Sequence, residues 1–288
     1  VLALCQELKN RGYNVMLYPM PLVDTVNETP GEDDKPWRGR LVPTSAADVN
    51  TFFTRANGYN RFIRHYAQLC ASTIDAFVLG SELVGLTTYN SGGSTFPAVT
   101  QLKSLAANVQ SDLGGGPLVV YAADWTEYHS INGYYHLDAL WTDSNIDVVG
   151  IDAYFPITPD LSQAQITQAK IKEYWEKGEG WDYYYTDPVA RTGKTNYGSA
   201  TFAWKNIENW WNSAHYHNAN PATPSGWTAK AKPIWFTEFG FPSVDGCANQ
   251  PNVFVDPTSI ESYYPRGSKA RVDFRAQRDA IQATIEFL

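Results

Sequence analysis

The sequence predicts an α/β protein built around a parallel β-sheet, and three observations support this prediction. Segments with helical spacing of apolar residues alternate along the chain with short apolar runs, which is typical of α/β proteins. The short runs are almost continuously apolar, as expected for parallel strands buried on both faces. The chain has 288 residues, and 43% of them are apolar, enough for one large domain with a sizeable core. We therefore expect residues 1–288 to form a single domain.

Turn residues and apolar spacing predict the order of the elements. Residues 1–11 have helical spacing and end at Gly12, a residue that commonly follows a helix. Ser45 is a suitable N-cap for a helix from Ala46, and Pro97 is a favoured first-turn residue for a further helix that ends before glycines 114–116. Other helices are predicted at residues 59–71, 162–177 and 270–288. Strands are predicted at residues 13–20, 75–82, 118–125, 146–155 and 233–241.

Two stretches are predicted to be irregular. Residues 27–43 are polar and rich in proline and glycine, which indicates a loop. Residues 156–232 separate the last two predicted strands and are too many for one crossover helix, so we expect an elaborated, aromatic-rich loop region there. Its tryptophans and the run DYYYTD at 182–187 are compatible with the wall of a ligand groove or with a packed subdomain.

Composition argues against several classes of function. The net charge of −8 argues against a nucleic-acid partner, since such modules are usually basic. No apolar run approaches the ~20 residues of a membrane-spanning helix, so no membrane span is expected. Cys5, Cys70 and Cys247 are far apart, which predicts ordinary thiols. The pair His215 and His217 has no third ligand nearby in sequence, and no Gly-x-Gly-x-x-Gly follows a strand, so we expect neither a metal nor another cofactor.

Carboxylates stand at the ends of four of the five predicted strands. Glu82 ends the run Phe-Val-Leu-Gly-Ser-Glu, and Glu238 ends the run Ile-Trp-Phe-Thr-Glu. Burying a carboxylate beside such sequence is unfavourable unless it is hydrogen-bonded or protonated, which suggests a functional reason for both. Two facing carboxyl groups in an aromatic-lined pocket can cleave a glycosidic bond. For Asp152 and Glu127, which also follow strands, a helix-capping or solvated role is equally compatible with the sequence.

The remaining candidates for substrate binding are polar and aromatic residues near the same strand ends. We expect Trp37, Trp125 and Trp235 to stack on sugar rings, because tryptophan presents a large flat apolar face with a polar edge. Tyr154, at the end of the fourth predicted strand, is a candidate for substrate binding or for packing as a rim aromatic. The full set of predicted binding residues is Tyr18, Trp37, Ser81, Asp124, Trp125, Asp152, Tyr154 and Trp235.

Long motifs distributed over most of the chain resemble one family. They are KPWRGR (35–40), FVLGSELVGLT (77–87), YAADWTEY (121–128), HLDALWTD (136–143), IDVVGIDAYFP (146–156), NWW (209–211) and KPIWFTEFGFPSVDGCANQPNVFVDP (232–257). These motifs are similar to those of the glycoside-hydrolase-like TIM-barrel domain in the large tail-tip proteins of gene transfer agents and related phage tails. The resemblance implies a (β/α)8 TIM barrel that is part of a larger protein, with this chain covering about strands 3 to 7 and residues 156–232 inserted between strands 6 and 7.

The family resemblance also implies a function, a site and a setting. The strand-end glutamates look like those of the clan A retaining glycoside hydrolases, which makes Glu82 the acid/base and Glu238 the nucleophile. The implied partners are host cell-surface glycan and other tail or baseplate proteins, and the implied location is the tail tip of a virion made in the bacterial cytoplasm. Ser81 departs from the asparagine that the clan usually has at this position. The sequence leaves open an active glycosidase and a degenerate barrel that binds glycan or builds the tail tip.

Overall fold

The computed structural model describes residues 1–23, 37–217, 223–256 and 262–288. Most of the loop predicted at 27–43 lies outside the described residues, as do the first two residues of the KPWRGR motif and Pro257, the last residue of the longest motif. The chain divides into two compact units. The first unit is Val1–Asp152 with Ala214–Thr237, and the second is Ala153–Ser213 with Glu238–Leu288.

The described residues contain a five-stranded parallel sheet and a separate hairpin. The strands are β1 Met16–Leu17, β2 Ala76–Ser81, β3 Leu118–Asp124, β4 Val148–Asp152, β5 Tyr183–Asp187, β6 Thr192–Asn196 and β7 Ile234–Glu238. The sheet has the order β1-β2-β3-β4-β7, and β5 pairs only with β6. All five strands predicted for the sheet are present, which confirms the α/β class. A closed TIM barrel has eight strands, three more than the described residues place in this sheet.

The helices predicted from the sequence are present and differ from the prediction mainly at their ends. They are α1 Leu2–Asn10, α2 Ala46–Thr54, α3 Tyr59–Cys70, α4 Val84–Thr87, α5 Pro97–Leu113, α6 Asp138–Trp141, α7 Gln168–Tyr174, α8 Ile207–Asn212 and α9 Phe274–Phe287. As predicted, the Ser45 side chain accepts a hydrogen bond from Asp48 N at 3.1 Å at the start of α2. Gly114 ends α5 in the left-handed conformation, with φ of 68°.

Several predicted elements are shorter than the sequence suggested, and three of them have a clear local reason. Strand β1 has two residues instead of 13–20, because it lies at the edge of the sheet and is followed by Pro19 and Pro21. The helix predicted at 162–177 is a 3-10 turn, Gln163–Gln165, followed by α7, because Thr167 caps α7 by accepting from Lys170 N at 3.2 Å. The helix predicted from 270 begins at Phe274, because the Asp273 side chain accepts from Ala276 N at 2.9 Å.

The core of the first unit lies on the sheet. Val78, Val120, Ala122 and Val148 come from three neighbouring strands and form a cluster that is almost fully buried. The Tyr18 ring packs against this cluster. Its hydroxyl therefore reaches the carboxyl ends of the central strands, where the candidate site is found.

The second unit contains the hairpin and a helical layer. Helices α7 and α9 pack together, and the Trp175 ring is stacked 5.0 Å from the Phe287 ring. The run DYYYTD at 182–187 includes β5, which pairs with β6 in antiparallel register. Most residues of the hairpin are exposed, although Tyr183 is buried. Within the described parts of both units, no helix combines the length and the apolar character needed to cross a bilayer.

Candidate active site

Strand β2 is distorted shortly before Glu82, the residue that follows it. The pairing of β2 with β3 shifts register between Val78 and Gly80, a bulge that re-aims the residues after it. Glu82 N donates to Ala122 O at 2.8 Å, and Glu82 has φ of 45°, in the region that favours glycine. Such strain persists only where the surroundings enforce it, and it is concentrated at functional sites.

The Glu82 carboxyl is buried, with 7% of the residue exposed. Trp37 Nε1 donates a hydrogen bond to Glu82 Oε2 at 2.6 Å. The same oxygen lies 3.0 Å from Arg38 Nη2. One carboxyl oxygen therefore receives an indole N–H and a guanidinium N–H in a water-poor environment, where charge-assisted hydrogen bonds are strong.

Two glycines hold the segment that carries Trp37 and Arg38. The Trp37 ring covers Gly39 so closely that a Cβ there would lie 2.3 Å from it. A Cβ on Gly85, in α4, would lie 2.8 Å from Leu41 O. The close approach of these backbones fixes the segment against α4, the helix that begins two residues after Glu82.

Arg38 also binds Ser81, which is fully buried. Arg38 Nε donates to Ser81 O at 2.9 Å and lies 3.1 Å from Ser81 Oγ, and Arg38 Nη2 donates to the same hydroxyl. Ser81 Oγ donates to Asp152 Oδ2 at 3.1 Å. The Ser81 hydroxyl thus links the guanidinium to a second buried carboxyl.

Asp152 ends β4 and is fully buried. The Tyr18 hydroxyl lies 2.6 Å from Ser81 Oγ and 2.9 Å from Asp152 Oδ2. Thr237 donates to Asp152 Oδ1 at 2.7 Å. Hydroxyl groups from three strand ends therefore satisfy this carboxyl. Asp152 is therefore not solvated, and its role toward a substrate stays a prediction.

Asp124, at the end of β3, supplies a third buried carboxyl. Its Oδ1 accepts from Thr126 N at 2.7 Å and from the Thr126 hydroxyl. The nearby charge of Asp124 raises the pKa of Glu82. Asp124 N in turn donates to Glu127 Oε2 at 3.1 Å.

Glu127 is a fourth buried carboxyl, and Asp124 N links it to the other three. It is fully buried, and its Oε1 accepts from the Tyr121 hydroxyl at 2.8 Å and from the Thr87 hydroxyl. The Tyr121 oxygen accepts from Leu83 N at 3.2 Å. The sequence left open whether Glu127 is solvated, and the structure shows that it is not.

Burial raises the pKa of three of these carboxyls. Burial, reinforced by the nearby charges of Asp124 and Asp152, raises the pKa of Glu82 to about 8, although Arg38 opposes the shift. Burial also raises the pKa of Glu127 to about 7, against the hydrogen bonds from Thr87 and Tyr121. The pKa of Asp124 is raised by burial as well. A protonated Glu82 can act as a general acid at neutral pH.

Glu238 belongs to the second unit. Tyr154 donates a hydrogen bond to Glu238 Oε2 at 3.1 Å, and Ala153 N donates to Glu238 O at 2.7 Å. Both contacts come from the segment that follows β4, which orients Glu238 within the second unit.

The structure brings together six of the predicted residues in the first unit and two in the second. The first set is Tyr18, Trp37, Ser81, Glu82, Asp124 and Asp152, and the second is Tyr154 and Glu238. Trp235 is 37% exposed on β7 and Trp125 is half-buried after β3. The roles of these residues toward a substrate stay predictions.

Sequence reasoning missed Arg38, Tyr121 and Thr87 as members of the site. Arg38 stands beside Trp37 in the KPWRGR motif, so that motif carried a usable signal. Tyr121 lies in the middle of an apolar strand, where a tyrosine is more often core than site.

The histidines singled out in the sequence, His215 and His217, lie in the first unit. His215 Nδ1 lies 2.9 Å from Asp138 Oδ2, and His217 is the other histidine of the predicted pair. Within each unit, no three His, Cys, Asp or Glu side chains of the described ranges bring ligand atoms close enough to share one ion.

The family match agrees with the motifs. A family model for the GTA TIM-barrel-like domain matches residues 57–288, which is most of the chain. No curated protein matches the chain. The resemblance to gene transfer agent proteins is confirmed at the level of this domain, and the resemblance to glycoside hydrolases stays a prediction. The chain belongs to the family of GTA (gene transfer agent) TIM-barrel-like domains.

Proposed function

We propose that this domain is a retaining glycoside hydrolase that acts on host envelope glycan, either peptidoglycan or a surface polysaccharide. Glu82 is the acid/base and Glu238 the nucleophile. The observation that supports this most is the buried Glu82 carboxyl at the end of β2, whose pKa is raised to about 8. A general acid must carry its proton at the working pH, and such a shift in a buried glutamic acid meets this need.

The reaction would follow two displacements. In the first, the Glu238 carboxylate attacks the anomeric carbon while Glu82 gives its proton to the glycosidic oxygen, which leaves as an alcohol. In the second, the Glu82 carboxylate takes a proton from water as the water oxygen attacks the same carbon. This step breaks the ester to Glu238 and restores both side chains, with retained configuration at the sugar.

The assignment of roles rests on the order of strands. We propose that β1, β2, β3, β4 and β7 correspond to barrel strands 3 to 7, with residues 156–232 inserted between strands 6 and 7. Glu82 then follows the fourth barrel strand and Glu238 ends the seventh. Catalytic residues of TIM barrels lie at the carboxyl ends of the strands, which is where both glutamates stand in the sequence.

The family supports a setting for this activity. We propose that the domain works at the tail tip of a phage-like particle made in the bacterial cytoplasm, where it meets the host cell surface and contacts other tail or baseplate proteins. The exposed ring of Trp235 and the half-buried ring of Trp125 suit stacking on sugars at the edge of the site. No cofactor enters the proposed reaction.

A second candidate function is favoured by Ser81. Clan A enzymes usually place asparagine there to bind the sugar 2-hydroxyl. Here the Ser81 side chain is fully buried and bonded to Arg38, Tyr18 and Asp152. A barrel without that sugar contact could bind glycan without cleaving it, or serve as a structural part of the tail tip.

Hydrolysis of envelope glycan separates the two candidates. Wild-type protein should release oligosaccharides from peptidoglycan or surface polysaccharide, and NMR should show the product first as the retained anomer. Glu82→Gln and Glu238→Gln should each lower turnover by about 10²–10⁴-fold or more. The matched control, Glu176→Gln, changes an exposed glutamate and should keep full activity.

Binding measurements complete the test. If wild type cleaves no envelope glycan but binds its fragments in isothermal titration calorimetry, the glycan-binding function is supported and hydrolysis is rejected. If wild type does neither, both glycan proposals fail and a scaffolding role is left.

A further inference from the structure

We propose that Trp37 is a positioning residue for Glu82. Its indole N–H, together with the Arg38 guanidinium, keeps Oε2 of Glu82 as an acceptor, so that the proton exchanged in each turnover is carried on Oε1. The inference rests on the proposed function and deepens it, because it names the oxygen through which the acid/base of that reaction acts. It gives Trp37 a role other than stacking on a sugar ring.

The first step concerns the geometry at Oε2. Trp37 Nε1 donates to this oxygen at 2.6 Å, and Arg38 Nη2 lies 3.0 Å from it in an ion pair. A proton placed on Oε2 would compete with two groups that already bring positively polarised hydrogen to that oxygen. In the neutral acid, Oε2 is therefore the carbonyl oxygen, and the acid proton is on Oε1.

The second step concerns what holds the two donors in place. Arg38 is buried, its Nε donates to Ser81 O at 2.9 Å, and its Nη2 donates to the Ser81 hydroxyl. The Trp37 ring lies against Gly39, where an added Cβ would be only 2.3 Å from the ring. The guanidinium is thus fixed by β2, the strand that precedes Glu82, and the indole by the backbone of its own segment.

The third step concerns the backbone that carries the carboxyl group. Glu82 has φ of 45°, and its N–H donates to Ala122 O at 2.8 Å. The backbone is held in a conformation that residues other than glycine rarely adopt, so the side chain leaves it in one direction. Because Oε2 is held as well, rotation of the carboxyl group is restricted and Oε1 keeps one position.

This arrangement suits a residue that acts first as an acid and then as a base. Such a carboxyl must give its proton to the glycosidic oxygen and take one from water at the same place. A donor that stays on Oε2 in both states favours the carboxylate without occupying the oxygen that carries the proton. The charged groups that act on this carboxyl are Arg38, which favours the ionised form, and Asp124 and Asp152, which oppose it.

The substitution Trp37→Phe tests the role of the indole N–H, because phenylalanine keeps an aromatic face and removes the donor. The pKa of Glu82, about 8 in the wild type, should rise by about one unit when a donor to its charged form is lost. Infrared difference spectra measure this pKa without a substrate, through the protonated carboxyl band that Glu82→Gln removes. The matched control, Trp181→Phe, makes the same change at a half-buried tryptophan of the second unit and should leave this pKa unchanged.

The oxygen that carries the proton is tested in the wild type. One indole N–H resonance in NMR spectra should titrate with the pKa of Glu82 and should no longer titrate in Glu82→Gln. This resonance should keep the downfield position of a hydrogen-bonded indole on both sides of the midpoint. If the indole hydrogen bond is lost when Glu82 takes up its proton, the proton is on Oε2 and the inference is overturned. The same resonance decides the question if Trp37→Phe does not fold.

Activity separates this inference from the proposed function. In an active enzyme, Trp37→Phe should lower kcat by about 10-fold or more at unchanged KM and move the basic limb of the pH–activity profile upward. A higher KM at unchanged kcat would assign Trp37 to sugar binding and overturn the inference. An unchanged pKa of Glu82 in Trp37→Phe, or no indole resonance that follows Glu82, overturns it whether or not glycan is cleaved. A raised pKa in a protein that cleaves no glycan supports the positioning role and rejects hydrolysis alone.

Discussion

Glu82 and Asp138 are both buried carboxyl residues of the first unit, and they differ in what surrounds them. Asp138 Oδ2 lies 2.9 Å from His215 Nδ1 and accepts from the Ser225 hydroxyl. Glu82 faces one guanidinium, that of Arg38, together with two further acids. Burial raises the pKa of both carboxyls.

The aromatic neighbours of His215 complete the contrast. Its ring is stacked 4.3 Å from the Tyr135 ring on one side and 5.5 Å from the Trp227 ring on the other. The hydrogen-bonding partners of Asp138 are thus the His215 ring and the Ser225 hydroxyl. No second acid is among the principal groups that shift its pKa. Asp138 pairs through one oxygen with a histidine and a hydroxyl, whereas several acids crowd around one guanidinium at Glu82. Perturbed acids of the second kind are typical of functional sites.

The largest expected effect comes from removing the cation of the Glu82 cluster. Arg38→Met leaves buried acids without their guanidinium, and breaking a buried ion pair in this way costs about 3–5 kcal/mol. Urea unfolding at pH 8 should show this loss. The loss should be smaller at pH 5, because the acids can then take up protons instead. Arg275→Met, at a side chain that is 82% exposed, should change stability by less than about 0.5 kcal/mol.

A loss in Arg38→Met that is equal at the two pH values would contradict this account. It would mean that Arg38 stabilises the fold by packing and not by balancing charge.

The second expected effect concerns the contact between His215 and Asp138. His215→Ala removes the ring between Tyr135 and Trp227 and takes a partner from Asp138, so we expect a loss of about 2–4 kcal/mol in urea unfolding. The pKa of Glu82 should not move, because neither His215 nor Asp138 is among the principal groups that shift it. His65→Ala, on the exposed side of α3, is the control and should change stability little. A shifted pKa of Glu82 in His215→Ala would show that the two clusters are coupled.

Much of the fold could be predicted because it depends on local pattern. The five sheet strands are continuous apolar runs, and Ser45, Pro97 and Gly114 mark helix ends by their backbone chemistry. The ends of α7 and α9 were wrong, because Thr167 and Asp273 compete with earlier polar residues as caps. Sequence alone does not rank such caps.

The site was predictable only in part. Strand ends of a parallel sheet meet at one edge, so Ser81 and Asp152 could be expected near each other. Arg38 reaches them from a segment far away in sequence, and this contact depends on the close backbone approaches at Gly39 and Gly85. The bulge at Gly80 likewise leaves no periodic signal. Long-range packing therefore decides which side chains complete the site.

The smallest expected effect concerns Glu127, the acid that accepts a hydrogen bond from Asp124 N. Tyr121→Phe removes one donor from Glu127 and leaves Leu83 N without its acceptor, so we expect a loss of about 1–2 kcal/mol. The pKa of Glu127 is raised to about 7 in the folded protein, so stability contributed by its protonated form is lost as pH rises from about 4.5 to 7. Removing the donor disfavours the charged form further.

The expected loss in Tyr121→Phe is therefore larger at pH 8 than at pH 5, and urea unfolding at the two pH values measures the difference. Tyr13→Phe, at a tyrosine that is 59% exposed, is the control and should be neutral at both. If Tyr121→Phe loses the same free energy at pH 5 and pH 8, the tyrosine hydroxyl does not stabilise the charged form of Glu127. The acids of the cluster would then titrate without help from their hydroxyl donors, and the contrast with Asp138, which accepts a hydrogen bond from the Ser225 hydroxyl, would become sharper.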